Sequence, residues 1–210
     1  MRAIVRTADA SLLEREGLIA VAASGLSALA SRHDARPSAD AGELRAHERI
    51  TGRIHEAIPS LPSRFGQFFR DEASLTAVLR ERRADLLGEL DLVGDRAEMS
   101  VTVMWRAPRV RAATADLATG REFLEAKAGR DHEIREAEMV VARLVEHLAV
   151  EQALIRSAIC PREGVAAIVA VLIARGGAGA LREKVVSFEQ RSSDVTARVY
   201  GPLPPFSFAS

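Results

Sequence analysis

Gly201-Pro202-Leu203-Pro204-Pro205-Phe206-Ser207-Phe208 follows directly on a strand-like run, Asp194 to Tyr200. Three prolines within four positions forbid a helix and remove three backbone donors, so the segment is expected to be extended. In an extended chain Phe206 and Phe208 point the same way. A disordered tail has little use for two phenylalanines so placed. Either the tail is tied down onto its own domain, or it is a ligand-like strip on which a partner docks. Burying both rings contributes roughly 3–6 kcal/mol by area. That is a large part of the ~5–15 kcal/mol that holds a whole domain together.

Working back from this tail, Ala180 to Gln190 reads as a helix with Leu181, Val185, Val186 and Phe188 inward. Gly176, Gly177 and Gly179 make the turn before it. Val165 to Ala174 is apolar at every position, the pattern of a central strand covered on both faces. A long helix is predicted from Gly120 to Ser157. Ile134, Ala137, Val141, Leu144 and Leu148 step along it by three and four, a heptad-like seam suited to lengthwise packing on another helix. Pro161 ends that helix. Ala97, Met99, Val101, Val103 and Trp105 alternate with polar or half-polar neighbours in the clearest strand of the chain, closed by Pro108.

The first half is mixed. Ile4 and Val5 hint at a short strand, and the runs Gly17–Ser24 and Leu26–Ser31 flank Gly25 as a hairpin. A polar loop containing Pro37 follows, then a helix over Gly42 to Ile58. Ile50, Ile54 and Ile58 repeat at four-residue spacing, and His47 shares their face. Past Pro59, the segment Ser60 to Phe69 reads as a loop running into a strand. Asp71 then caps a helix reaching to about Leu90, and Gly94 ends the unit. The natural divide falls there. No internal repeat is apparent in the sequence.

The totals narrow the function. The 210 residues are 48% apolar, ample for a core, and 29 basic residues balance 29 acidic ones. Such a chain lacks the long-range field that draws proteins onto nucleic acid or anionic lipid. Cys160 is alone, so no intrachain disulfide or cysteine-based metal cluster forms. Met1 to Arg6 carries no signal-peptide core, and the run from Val165 is too short to span a bilayer. The chain reads as soluble and intracellular.

Catalytic and cofactor signals are weak. Ala174 to Ala180 lies between strand and helix but lacks the Gly-Lys-Ser/Thr of a phosphate loop and does not match G-x-G-x-x-G. His132 and Glu136 stand one helical turn apart, too few ligands for a metal site. His33, His55 and His147 have no ligand-spaced partners, and no G-x-S-x-G is present. His47, on an apolar helix face, is expected in the core with one hydrogen bond satisfied. No catalytic, metal or cofactor-binding residue is assigned. Arg64, flanked by Leu61, Pro62, Phe65 and Phe68, needs a carboxylate or carbonyl partner, with Glu98 one candidate. An internal ion pair or partner recognition are the two readings.

Three segments together resemble the gas vesicle protein GvpL/GvpF family. His47 is followed by Leu61-Pro62-Ser63-Arg64-Phe65-Gly66-Gln67-Phe68, then Gly94 with Glu98, then Gly201 to Phe208. Members of the family carry a histidine before L-P-x-R-F-G-T and end in G-P-W-P-P-Y-S-F. Gly25-Leu26-Ser27-Ala28-Leu29-Ala30-Ser31 and Gly120-Arg121-Glu122-Phe123-Leu124 also resemble family segments. Leu203 and Phe206 stand where tryptophan and tyrosine are usual, and Gln67 stands for threonine.

The residue pattern gives a mixed first half, 1–94, a β-α-β-α-β second half with a long helix, 95–200, and a tail, 201–210; the resemblance implies an α+β fold in two domains, the first ferredoxin-like, with the tail packing back. It implies a non-enzymatic accessory role in building gas vesicles, without cofactor, located at the gas vesicle in the cytoplasm. The implied partner is the hydrophobic shell protein GvpA, with neither nucleic acid nor membrane. The motif residues His47, Leu61, Pro62, Arg64, Phe65, Gly66, Gly94, Glu98, Gly201, Pro202, Pro204, Pro205, Phe206, Ser207 and Phe208 become the interaction candidates. The alternative is a small-molecule or nucleotide-binding regulatory module, a common use of ferredoxin-like domains.

Overall fold

The computed structural model describes residues 1–7, 9–33, 38, 40–107, 120–162 and 164–209. Pro37 and Pro108, each given a role above, lie outside these residues. The chain forms two compact units, Met1–Glu98 together with Pro202–Ser210, and Met99–Gly201.

The first unit opens with β1 (Ala3–Val5), α1 (Ala10–Glu16), β2 (Ile19–Ala23), β3 (Leu26–Ala30), α2 (Ala41–Ala57) and β4 (Leu61–Pro62). The helix α1 has no counterpart among the sequence expectations. Its signals are local: the Asp9 carboxylate accepts from the N–H groups of Ser11 and Leu12, and Gly17 closes the other end. Asp40 caps α2 in the same way, accepting from Gly42 and Glu43. The predicted hairpin is present, with Val21 opposite Ala28 across the two-residue turn. All pairs are antiparallel, in the order β2-β3-β1-β4. A β-α-β-β-α-β chain with that order is the ferredoxin-like arrangement.

The segment 60–69 reverses the expected order: the strand comes first, as Leu61 and Pro62 pair with β1, and the loop follows. Proline is tolerated because β4 lies at the sheet edge. The single helix expected after Asp71 is two, α3 (Glu72–Glu81) and α4 (Arg83–Val93), parted at Arg82. Asp71 and Ser74 form a reciprocal capping box at the start of α3. Every residue of β1 and β3 is buried, so both faces of the sheet are covered. Ala3, Val5, Leu12, Leu18, Leu29 and Ile54 form the core on the side of α1 and α2. Helix α3 lies against β2 and β3, and α4 against β4.

The second sheet and its helices comprise β5 (Arg96–Trp105), α5 (Gly120–Leu148), β6 (Ile155–Arg162), β7 (Val165–Ala174), α6 (Ala178–Arg191) and β8 (Val195–Leu203), with all but the first residues of β5 and the last of β8 in the second unit. The alternation of β5 is as read, with Met99, Val101, Val103 and Trp105 buried in the core. The long helix stops at Leu148, nine residues short of the expected end, and β6 takes up the remainder. Ile155-Arg156-Ser157-Ala158-Ile159 alternates, but the charged stretch before it continues a helical pattern, so periodicity alone hides the break. β6 is an edge strand paired antiparallel to β7, which accommodates Pro161 near its end.

This extra strand changes the wiring from the expected β-α-β-α-β to β-α-β-β-α-β. The order β6-β7-β5-β8 is the same as in the first sheet, so the two units share one topology. The seam on α5 meets the sheet and α6, rather than another helix along its whole length: Val140, Val141, Leu144 and Leu148 share a core with Leu181, Val185 and Phe188. Ile134 and Val186, both expected inward, are exposed. β7 is central but not covered throughout, for Ile168 is 37% exposed while Val169 to Leu172 are buried.

Candidate functional site

The motif residues of the first unit gather at two places. The first is built on α2 and β4. His47 lies on the buried face of α2, and β1 places Arg2 beside it. One Arg2 Nη donates to His47 Nδ1 at 3.0 Å, and His47 Nε2 donates to the Ser63 carbonyl at 2.9 Å. With Nδ1 accepting from a guanidinium, Nε2 carries the proton and the ring is neutral. Burial lowers the His47 pKa, outweighing the Ser63 carbonyl, which favours the charged form; the adjacent Arg2 lowers it further. Arg2 Nε also donates to Ser31 Oγ at 3.2 Å. Ser63 completes the link: its N–H donates to the Arg2 carbonyl at 2.8 Å and its hydroxyl to the Met1 carbonyl at 2.7 Å. Phe65 meets the His47 ring edge to face, with centroids 5.6 Å apart.

Arg2, Ser31, His47 and Phe65 border a cleft of about 460 Å³ on the first unit, with Ile19, Val21 and Leu75 as part of its apolar lining and the exposed Phe68 beside them. The sequence reading pointed to Arg64 as the arginine in apolar surroundings. The structure corrects this. Arg64 is exposed, and the buried arginine is Arg2, 8% exposed. Arg64 opens a turn, its carbonyl accepting from the Gln67 N–H at 3.3 Å with Gly66 at φ 83°, and its side chain is exposed.

The second gathering place joins Glu98 to the tail. The expected Arg64–Glu98 ion pair is replaced by a clamp on Ser207. The Ser207 N–H and hydroxyl donate to the two Glu98 carboxylate oxygens, each at 2.8 Å. Glu98 is buried, and burial raises its pKa against the opposing effect of the Ser207 bonds. The tail is extended only through Leu203. Phe206 to Phe208 then form a single 3-10 turn against β4, so the two rings do not point the same way. Pro205 and Phe208 are buried, Phe206 is half-buried, and Pro202 and Leu203 are exposed. Three motif glycines hold positive φ, Gly66 at 83°, Gly94 at 45° and Gly201 at 122°, a region costly for other residues.

His132 and Glu136 do approach, at 3.6 Å, as an exposed pair one turn apart. Among the described residues no group of three or more potential ligands could hold a metal ion. No helix among them is long and apolar enough to cross a membrane.

Two units of one shared strand order, the first holding both the histidine-arginine-serine link and the turn of the proline-rich tail, define an α+β protein. Residues 3–210 match the family model described as gas vesicle synthesis protein GvpL/GvpF, and the chain belongs to that family. It is 28% identical over 182 residues to gas vesicle protein F of Streptomyces sp. (strain CB03234), spanning 79% of this chain and 76% of that relative. Its fold is similar to the crystal structure of GvpF from Anabaena sp. PCC7120, at a TM-score of 0.75 and 18% identity, over 100% of this chain and 94% of that one. GvpF from Microcystis aeruginosa is similar to the same degree, with a TM-score of 0.75, 16% identity and 100% and 97% coverage.

Proposed function

We propose that this protein is an accessory factor of gas vesicle assembly that binds the shell protein GvpA and acts by contact rather than turnover. The observation that supports this reading is membership, along nearly the whole chain, of a family described by gas vesicle synthesis. A gas-retaining wall needs subunits with a large water-repelling face, and before assembly that face aggregates like any broad exposed apolar patch. A protein that covers it, or delivers it to a growing nucleus, keeps the subunit usable. We place the contact on the outer edge of β2. This strand ends its sheet, and its exposed residues, Ala20 and Ala22, are small. An open edge of that kind accepts a further strand through backbone hydrogen bonds.

The test is capture of GvpA by the full-length protein, alongside deletion of the gene scored by flotation and refractile bodies. Capture that is lost in Ala22→Pro, with the fold retained by circular dichroism, supports the edge. Cells that float normally without the gene, together with no capture of GvpA, overturn the reading.

A further inference from the structure

We propose that the cleft beside Arg2 and His47 binds a small carboxylate with an apolar body, anchored by the Arg2 guanidinium. This goes beyond the assembly role and does not depend on it. A buried arginine ordinarily sits against a carboxylate, because a buried charge left without a countercharge is costly. Arg2 is buried, yet its hydrogen-bond partners are the His47 ring and the Ser31 hydroxyl, both neutral. No ion pair to Arg2 occurs among the described residues. Two of its five N–H donors are used in these bonds, so donors remain for an incoming anion.

The acids nearby do not take that place. Glu43 borders the cleft and acts on Arg2 through space without a hydrogen bond. Asp71 is held by its own helix cap, and Glu72 is paired with Arg32. The remainder of the cleft suits an apolar group. Ile19, Val21 and Leu75 line it, and Phe68 is 48% exposed there. Its volume of about 460 Å³ is that of a small-ligand pocket. A planar guanidinium recognises a carboxylate by paired N–H donors, and it distinguishes an acid from the matching amide by charge. The ligand is either a free organic acid or a glutamate or aspartate set among apolar residues in a peptide.

The experiment titrates the full-length protein with 3-phenylpropanoate and, separately, 3-phenylpropanamide, read by amide chemical shifts. The expected result is at least ~10-fold tighter binding of the acid, consistent with charged hydrogen bonds, with shifts at Arg2, Phe68 and Leu75. Arg2→Gln is expected to erase the preference, leaving acid and amide equal. If Arg2→Gln does not fold, the acid-to-amide ratio in the unaltered protein still decides, with Phe68→Ser, at an exposed position, expected to weaken both ligands together. Equal binding of acid and amide, shifts mapping elsewhere, or no binding at millimolar concentration overturns the proposal. A second arm uses acetyl-Phe-Glu-Leu-amide and its glutamine counterpart. A glutamate-specific peptide bound more tightly than phenylpropanoate identifies a protein segment as the source; the reverse order identifies a free acid.

Discussion

His47 and Glu98 are the two buried titratable groups of the motif, and burial moves their pKa values in opposite senses. His47 has a folded pKa below its unfolded 6.5, so the unfolded chain takes up a proton first. Its stabilising contribution is complete above pH 6.5 and is lost as pH falls through the folded value. Denaturant titrations between pH 7.5 and 5 are expected to show this loss, and His47→Gln is expected to flatten it. Glu98 behaves in reverse. Its folded pKa lies above 4.5, so stability rises as pH falls through the folded value and levels off below 4.5.

Glu98→Gln removes that slope while keeping an acceptor for Ser207. Glu98→Ala removes two hydrogen bonds that hold the tail and is expected to cost about 1–3 kcal/mol, measured by urea unfolding near neutral pH. The sequence carried His47 into the core on its spacing with Ile50, Ile54 and Ile58. It could not pair Glu98 with Ser207, because 109 residues separate them and no local period links a strand residue to a turn. Arg64 and Arg2 exchanged roles for a similar reason. Both stand beside apolar residues, and only the partner strands decide which is inside.

Among the elements, those with a strong local period were legible. β5 follows its alternation, and α2 follows its isoleucines between Asp40 and Pro59. Two elements were not. The seven residues of α1 are too few to establish a helical period, though Asp9 and Gly17 mark its ends. β6 was absorbed into the preceding helix because Glu146 to Ile155 keeps apolar residues at helical spacing, and its edge position needs no continuous apolar run. The tail is the element with the sharpest energetic claim. Phe208 is 4% exposed and Pro205 is buried, so the tail fastens the first unit and is not a free strip. Phe208→Ala is expected to destabilise that unit by about 3–5 kcal/mol, seen as slower-unfolding amides becoming faster in hydrogen exchange across β1 and β4. Leu203→Ala, at an exposed position, is expected to change stability by less than about 0.5 kcal/mol.

On the scale of the whole molecule, the sequence suggests a divide near Gly94, the compact units part between Glu98 and Met99, and their shared topology is not legible in the sequence. The two halves have no sequence repeat, and without β6 the second lacked the strand that completes the pattern. Ferredoxin-like wiring arises from how strands pair, which very different residues satisfy. The first unit is discontinuous, since Pro202 onward belongs with Met1–Glu98. A fragment ending at residue 98 is therefore expected to melt below the same unit in the full chain. A peptide of residues 202–209 added in trans is expected to raise its melting temperature in a concentration-dependent way. No change with saturating peptide would show that the tail contributes nothing to that unit.

The return of Phe208 to β4 also sets a timetable for biosynthesis. Domains generally fold as they emerge, the earlier one first. Here the leading half leaves the ribosome with a vacancy beside Leu61 and Pro62 that is filled only when codon 208 has been read and its product released. A message cut short late in the second half thus damages the first, and quality control in the cell meets an unfinished N-terminal body rather than a clipped end.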